Sequence, residues 1–221
     1  MADAADLFAA ARQHMVDSQI RPNKVTHGAL LAALASIPRE RFLPANRQAM
    51  AYADEDVPLG NGRVLIEPLV ISRMLQTARP MNGERALVVG AGVGYGAALL
   101  AGCGCRVTAL ESDADLFARA RQTLMEIAPG VSVVQGPLAA GWSSGAPYDL
   151  IVIEGAVPAI PTELGAQLRV EGGRLVAVVR PDRTGSAVLA EMTPAGLRAQ
   201  PVFDCATPLL PEFRPVPAFQ F

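Results

Sequence analysis

Residues 87–96 read Leu87-Val88-Val89-Gly90-Ala91-Gly92-Val93-Gly94-Tyr95-Gly96, and this stretch decides the fold. A short apolar run gives way to glycines at alternate positions, which is typical of a buried strand that turns into a helix. Glycine permits a positive φ at such a turn, and its missing side chain lets a ligand approach the backbone. The stretch therefore predicts a strand–turn–helix unit with a ligand-binding turn.

The residues around this turn alternate between strand and helix patterns. Apolar runs predict strands over 86–89, 106–111, 131–134, 150–153, 173–179 and 186–192, and helical spacing predicts helices over 94–102 and 113–127. Strands separated by helices of about ten to fifteen residues imply a parallel sheet covered on both faces, and right-handed crossovers make it doubly wound. The proline-interrupted stretch 202–221 predicts antiparallel pairing at one sheet edge. The fold class is therefore α/β, with a doubly wound, mostly parallel sheet.

The first third of the chain has a different pattern. Apolar spacing predicts helices over 3–16 and 26–36, with Thr26 as the N-cap of the second helix. Residues 43–70 are irregular and rich in Pro and Gly, and a loop of that length in a compact domain is usually functional. We therefore predict a single domain over 1–221. Residues 1–80 form its helical and loop-rich N-terminal extension, and residues 81–221 form a ligand-binding α/β core.

Composition limits the class of protein. Of the 221 residues, 51% are hydrophobic and 18% are charged, so one large apolar core is expected and a disordered chain is excluded. A formal net charge of −2 gives no electrostatic signal for nucleic acid. Residues 86–105 carry no charge, but their frequent glycines suit a strand and helix better than a membrane span. We expect a soluble protein that binds neither nucleic acid nor membrane.

The cysteines indicate the compartment. Cys103, Cys105 and Cys205 are too few for a disulfide framework and suit a reducing environment, so a cytoplasmic location is expected. Cys103 and Cys105 have no second pair and no nearby His, so no metal site is predicted. The N-terminal residues include Asp3 and Asp6 and lack an apolar run, which is unlike a secretory signal peptide.

The strand after the glycine turn ends in Glu111, nineteen residues after Gly92. A carboxylate at that place accepts hydrogen bonds from both hydroxyls of a ribose. Two nucleoside cofactors fit, but a dinucleotide fingerprint needs a small residue where this chain has Tyr95. The pattern suits S-adenosylmethionine, which has no pyrophosphate. A glycine-rich turn without a ligand is the remaining alternative.

Other segments follow the pattern of one family. They are Met15-Val16, Gln19-Ile20, Ile37-Pro38-Arg39-Glu40-Arg41-Phe42-Leu43-Pro44, Ala51-Tyr52-Ala53-Asp54, Pro58-Leu59-Gly60, Gly90-Ala91-Gly92-Val93-Gly94-Tyr95, Ala146-Pro147-Tyr148-Asp149, Pro158, Ile160-Pro161, Leu164, Gln167-Leu168 and Gly172-Gly173-Arg174-Leu175-Val176. In this order, from residue 15 to about residue 179, the chain resembles the protein-L-isoaspartate O-methyltransferases.

The resemblance implies a Rossmann-like methyltransferase fold, S-adenosylmethionine as cofactor, and a protein or peptide substrate. The family transfers a methyl group to the side carboxylate of isoaspartyl residues, which initiates repair of damaged protein. The implied cofactor-binding residues are Gly90, Ala91, Gly92 and Gly94 at the methionine end, Glu111 at the ribose, and Ser112, Pro137 and Leu138 near the adenine. An isoaspartyl carboxyl is ionised at neutral pH and needs no general base, so neither His14 nor His27 is assigned to catalysis. The catalytic residues and the oligomeric state stay open.

The chain departs from the family pattern at three places. The signature loop has Ile66 where the family has a Ser, and the Asp expected near the adenine is Pro137. Glu154 follows the fourth strand, where the family has a small residue. There it would repel a carboxylate substrate, act as a base for a neutral nucleophile, bind a cationic nucleophile, or pair with Arg180 or Arg63. The predicted acceptor pocket is formed by Arg63, Ile66, Glu67, Pro68 and Glu154, with Arg63 expected to pair with an anionic substrate.

The sequence is therefore compatible with three functions. The first is isoaspartyl methyltransferase activity with a variant pocket, which the N-terminal segments favour. The second is a methyltransferase of the same fold with another acceptor, since the glycine turn and Glu111 are kept while the acceptor loop changes. The third is a cofactor-binding protein without turnover, which Pro137 favours.

Overall fold

The computed structural model describes residues 4–182 and 184–214, and its main element is a seven-stranded sheet. Two short strands, β1 (Val57–Gly60) and β2 (Arg63–Leu65), form a separate antiparallel hairpin. The sheet strands are β3 (Arg85–Val89), β4 (Arg106–Glu111), β5 (Ser132–Gln135), β6 (Leu150–Val157), β7 (Arg174–Val179), β8 (Gly185–Thr193) and β9 (Gly196–Cys205).

The strand order is β5-β4-β3-β6-β7-β8-β9. The strands from β5 to β7 are parallel, and β8 and β9 are antiparallel to their neighbours. The chain goes from β3 to β4 on one side and later returns to β6 on the other side. Ligands bind at such a reversal, outside the carboxyl ends of the strands. The α/β fold class and the antiparallel edge predicted from the sequence are confirmed.

Six α-helices are found in the described residues. They are α1 (Ala4–Met15), α2 (Gly28–Ser36), α3 (Pro68–Ala78), α4 (Tyr95–Gly102), α5 (Ala114–Ile127) and α6 (Thr162–Gly165). In this described part of the chain, no helix is both long and apolar enough to cross a membrane.

The two faces of the sheet are covered differently. Ala86 and Val88 of β3 pack in a core cluster that also contains buried residues of α2, α3, α4 and α5. Leu87 and Val89 face the opposite side, where they pack with residues of short turns and loops, including Tyr148. The prediction of ten- to fifteen-residue helices on both faces is therefore wrong for the second face. There, α6 has four residues and 3₁₀ turns replace longer helices.

The N-terminal third differs from the prediction in detail. The helix predicted to end at residue 16 continues through a π-helical turn (Val16–Ile20) and a 3₁₀ turn (Arg21–Asn23). His27, rather than Thr26, is the N-cap of α2, because its Nδ1 accepts a hydrogen bond from the Leu30 N–H at 3.2 Å. The stretch predicted to be irregular contains the β1–β2 hairpin and the start of α3.

The C-terminal part forms a strand earlier than predicted. The edge strand β9 begins at Gly196 and ends at Cys205, and it pairs with β8 along its length. Residues 206–214 leave the sheet and cross the carboxyl ends of the parallel strands, where Leu209 makes a single bridge with Ala156. The predicted β structure over 215–221 lies outside the described residues.

Candidate functional site

The glycine turn joins β3 to α4 in an unusual backbone conformation. Gly90, Gly92 and Gly94 have φ values of 72°, 57° and 93°, a region that favours glycine. The N–H groups of Gly90 and Ala91 both donate to the Leu110 carbonyl, at 2.9 and 3.0 Å. These bonds hold the turn against the end of β4, so the turn and Glu111 face each other.

Glu111 is the last residue of β4, and its side chain is fully buried. Its Oε2 accepts a hydrogen bond from the Gly92 N–H at 2.6 Å. Its Oε1 accepts from the N–H groups of Ser112 and Asp113, at 2.8 and 3.0 Å. The carboxylate is therefore fixed by backbone donors at the place where the sequence predicted a ribose.

Arg63 occupies the remaining positions around this carboxylate. Its Nη1 lies 2.7 Å from Glu111 Oε1, its Nη2 lies 2.9 Å from Oε2, and Nη2 also donates to the Gly90 carbonyl at 2.7 Å. The pair is bidentate and almost completely buried. Arg63 thus pairs with a carboxylate of its own chain beside the glycine turn, and its assignment to the acceptor pocket as a partner for an anionic substrate stays a prediction.

The carboxylate of Glu111 has no free acceptor position in this arrangement. A carboxylate offers about four lone-pair positions. Both Arg63 nitrogens and the N–H groups of Gly92, Ser112 and Asp113 already donate to it. A hydroxyl group can donate to this carboxylate only when one of these donors leaves.

The C-terminal segment, defined as residues 207–214, lies over the same cleft. Ala156 of β6 donates to the Pro208 carbonyl at 3.0 Å and accepts from the Leu210 N–H at 2.9 Å. The Leu210 side chain is buried between Gly90 of the glycine turn and Gly155 of β6, since a Cβ added at either position would lie 3.3 or 2.5 Å from it. The segment therefore fills the space beside the glycine turn.

The predicted adenine side is also engaged by the C-terminal segment. Glu212 Oε2 accepts from the Leu138 N–H at 3.2 Å, and Glu212 Oε1 accepts from the Ser112 hydroxyl. Pro137 is exposed and precedes the 3₁₀ turn Leu138–Ala140. Sequence reasoning missed both Leu210 and Glu212, because no local motif marks a segment that folds back onto a distant cleft.

The opening left at the mouth of the cleft is small. It has a volume of about 270 Å³ and is lined by Asn61, Arg63, Ser112, Asp113, Pro211 and Glu212. Ligand pockets usually have volumes of about 300–1,000 Å³. The cleft is therefore closed by the chain's own residues in the described arrangement.

Glu154 lies within β6, at the irregularity in the pairing of β6 with β7, and it packs against the first turn of α4. A Cβ added at Gly96 would lie 1.8 Å from Glu154 Oε1, so a larger residue at that position would require the Glu154 carboxyl group to move. Oε1 is inaccessible to solvent and has no hydrogen-bond partner among the described residues. Desolvation is the main cause that raises the pKa of the Glu154 carboxyl to about 8, and the nearby Glu111 charge adds to it.

The suggested pairing of Glu154 with Arg180 or Arg63 is not found. Arg180 donates to the Thr207 carbonyl at 3.2 Å, and Arg63 pairs with Glu111. Because its pKa lies near 8, the Glu154 carboxyl is mostly uncharged at neutral pH. A mostly uncharged carboxyl group would not repel a carboxylate substrate at that pH, and the place of Glu154 in the acceptor pocket stays a prediction.

Ile66, Glu67 and Pro68 connect the hairpin to α3. Ile66 is buried, and its carbonyl accepts from the buried Arg39 Nη2 at 2.7 Å. Glu67 is half-buried, and desolvation raises the pKa of its carboxyl, with contributions from Asp54 and Asp56. Pro68 is the first helical residue of α3. This loop borders the cleft through Arg63, but the Ile66 side chain belongs to the apolar core.

The chemistry of the cleft fits a nucleoside cofactor once the chain's own groups are displaced. Glu111 supplies an acceptor for hydroxyl groups, and the glycine turn supplies a surface without side chains. The Leu138 N–H and the Ser112 hydroxyl are available to a heterocycle when Glu212 withdraws.

Comparison with known proteins places the chain in a family. Residues 10–200 match the family model described as protein-L-isoaspartate(D-aspartate) O-methyltransferase. The chain belongs to this family. The protein-L-isoaspartate O-methyltransferase 1 of Rhodopseudomonas palustris (strain HaA2) is 38% identical over 190 residues, covering 86% of this chain and 77% of the relative. The enzyme of Methanoculleus marisnigri is 36% identical over 211 residues, covering 95% and 96%.

Solved structures of the family share the fold. A protein-L-isoaspartate O-methyltransferase superposes with a TM-score of 0.80 and 21% identity, covering 90% of this chain and 65% of that longer chain. A Plasmodium falciparum structure described under the same family name, in complex with S-adenosyl-L-homocysteine, has a TM-score of 0.75 and 16% identity, covering 93% and 98%. The family resemblance seen in the sequence is confirmed. The family match ends at residue 200, before the C-terminal segment.

Proposed function

We propose that the protein is an S-adenosylmethionine-dependent O-methyltransferase that methylates the side carboxylate of isoaspartyl residues in damaged proteins, the first step of their repair. One observation carries this proposal. The glycine turn faces Glu111 at the reversal point of the sheet, in a chain that matches the isoaspartate methyltransferase family over residues 10–200.

The bound cofactor supplies an electrophilic methyl group, and the chain's residues position the two reactants. Glu111, Gly90, Ala91, Gly92, Gly94, Ser112, Pro137 and Leu138 are the proposed cofactor-binding residues. An isoaspartyl carboxylate is ionised at neutral pH, so no residue needs to remove a proton from it. Alignment and exclusion of water then account for the rate.

Glu154 supports a carboxylate acceptor rather than opposing it. A neutral carboxyl group donates one hydrogen bond, and a substrate carboxylate accepts it. Oε1 of Glu154 lacks a partner in the described structure but is enclosed against Gly96, so the carboxyl group must turn away from Gly96 to donate this bond. We therefore place Glu154 beside the acceptor, with Ile66, Glu67 and Pro68 in the wall that leads to it.

The test measures transfer of radiolabelled methyl groups from S-adenosylmethionine to an isoaspartyl peptide. The matched control peptide has the same sequence with an ordinary aspartyl residue. Base-labile methyl ester on the isoaspartyl peptide alone is the expected result. Equal labelling of both peptides, or of neither, would contradict the proposed substrate.

A second acceptor class is favoured by one specific observation. Ile66 stands where the family has a Ser, and its side chain is buried in the core, so this loop has lost a polar group. An acceptor other than an isoaspartyl carboxylate accounts for that loss. Labelling of a different purified protein or small molecule, with none of the isoaspartyl peptide, would favour this candidate.

We also propose that the protein works in a reducing compartment, the cytoplasm. Cys103, Cys105 and Cys205 are all free, and burial raises the pKa of the thiols of Cys103 and Cys105 to about 11 and 12. Buried protonated thiols resist oxidation to disulfides.

A further inference from the structure

The cofactor cleft is occupied by groups of the same chain that imitate a ligand. Arg63 donates to both oxygens of Glu111, which is the expected acceptor for ribose hydroxyls. Glu212 accepts from the Leu138 N–H and the Ser112 hydroxyl on the adenine side. Leu210 covers the glycine turn between them. Each polar group that a nucleoside would use is therefore already paired.

We propose that Arg63 and the C-terminal segment form an autoinhibitory contact, and that S-adenosylmethionine or its product binds only when both withdraw from the cleft. This inference rests on the proposed function, because it concerns the same cofactor. It goes further by stating what holds the cleft closed.

Both occupants are attached in a way that permits withdrawal. Arg63 begins β2, a three-residue strand whose hairpin lies outside the main sheet. The C-terminal segment follows the edge strand β9, pairs with the sheet at Ala156, and is further held by the hydrogen bond from Arg180 to the Thr207 carbonyl. Glu212 is itself exposed. By contrast, Glu111 keeps three backbone donors when Arg63 leaves.

The contact has a thermodynamic consequence. When only a fraction of the molecules has an open cleft, the apparent Kd equals the intrinsic Kd divided by that fraction. Loss of the Glu212 hydrogen bonds therefore raises the open fraction and tightens binding. A charged hydrogen bond of ordinary strength corresponds to a change of about tenfold in Kd.

The first experiment titrates S-adenosyl-L-homocysteine into the full-length protein in a calorimeter. The variants are Glu212→Ala and Glu212→Ala/Leu210→Ala, and Glu171→Ala is the matched control because Glu171 is exposed and far along the chain from these contacts. We expect Glu212→Ala to bind about tenfold more tightly than the wild type and the double variant to bind more tightly still. Equal Kd values in all four proteins would overturn the inference.

Hydrogen exchange gives a second readout that does not depend on a variant. Binding of S-adenosyl-L-homocysteine to the wild type should speed amide exchange at Leu210, whose N–H donates to the Ala156 carbonyl, and slow it at Gly92. Unchanged exchange at Leu210 in the ligand-saturated protein would show that the segment stays in place, and the inference would be wrong.

The two proposals fail in different ways. If the ligand binds and the variants tighten binding, but no peptide is methylated, the contact stands and the proposed acceptor fails. If the peptide is methylated while the variants leave Kd and exchange unchanged, the function stands and the autoinhibitory contact fails. If S-adenosyl-L-homocysteine binds neither to the wild type nor to the two variants, the inference is also overturned, because release of the C-terminal segment would then expose no binding site.

Discussion

The buried pair of Arg63 and Glu111 has two roles, because it stabilises the closed fold and blocks the cleft. Their side chains are only 5% and 0% exposed, so each charge depends on the other. Removing one partner of a buried pair leaves an uncompensated charge, which usually costs about 3–5 kcal/mol.

Arg63→Met should therefore lower the free energy of unfolding by about 3 kcal/mol or more, measured by urea denaturation. Arg41→Met is the control, because Arg41 pairs with Glu126 on the surface and should cost less than about 1 kcal/mol. The double variant Arg63→Met/Glu111→Gln should recover part of the loss, since it removes both charges. If Arg63→Met and Arg41→Met lower the free energy of unfolding by similar amounts, the Arg63–Glu111 pair is not desolvated.

The Glu154 carboxyl gives the protein a specific pH dependence. Its pKa rises from 4.5 to about 8 in the folded protein, so the folded state holds a proton that the unfolded chain releases. The protonated Glu154 carboxyl group makes its full contribution to stability below pH 4.5, its pKa in the unfolded chain. This contribution is lost as the pH rises toward about 8, its pKa in the folded protein. Between these values the wild type should lose about 1.4 kcal/mol per pH unit from this group.

Glu154→Gln removes this titration while keeping the size of the side chain. We expect the variant to gain stability relative to the wild type as pH rises from 5.5 to 7.5, measured as the difference between their unfolding free energies in urea. Other titrating groups are common to both proteins and cancel in the difference. Parallel stability curves over this range would show that Glu154 is ionised in the folded protein.

Sequence reasoning reached some of these residues and missed others for a physical reason. Glu111 and the glycine turn follow from local strand and turn patterns, and they lie nineteen residues apart along two neighbouring strands. Arg63 contacts Glu111 across 48 residues, and its position depends on how the β1–β2 hairpin folds onto the sheet. No periodicity in the chain specifies that contact.

At the scale of elements, the start of α2 shows how context overrides propensity. Thr is a preferred N-cap and His is not, yet the cap of α2 is His27. The Thr26 and His27 N–H groups both donate to the Gln76 side chain of α3, at 2.5 and 3.1 Å. That contact moves the start of α2 one residue along the chain.

His27→Ala should lower the free energy of unfolding by about 1 kcal/mol, the usual cost of losing an N-cap. Thr26→Ala should change it much less, because the contact with Gln76 uses the Thr26 backbone N–H. Urea denaturation of the two variants provides the measurement. A larger loss for Thr26→Ala than for His27→Ala would restore the cap predicted from the sequence.

The elements of the sheet were predicted more reliably than the elements that cover its second face. The central parallel strands β3 and β6 are mostly continuous apolar runs that are buried on both sides, and such runs are visible in the sequence. The second face is covered by α6, by short 3₁₀ turns and by residues such as Tyr148 and Leu210. These pieces are too short for a helical period, so only the folded chain shows them.

At the scale of the whole molecule, the N-terminal extension and the α/β core share one apolar interior. Met15 and Ile20 lie in the same buried cluster as Val88 and Val152 of the sheet. Helix α2 contacts α4, and α3 contacts β6, β7 and β8. The extension therefore covers one face of the sheet.

The full chain should consequently unfold in one transition, and the fragment 81–221 should not fold by itself. Without α2 and α3, the fragment exposes the apolar face that contains Ala86 and Val88, and burial of such a face is the main stabilising contribution. Urea curves followed by far-UV circular dichroism and by the fluorescence of the single tryptophan, Trp142, should coincide for the full chain. A fragment with a cooperative transition of its own, or two separate transitions in the full chain, would show that the extension and the core are independent domains.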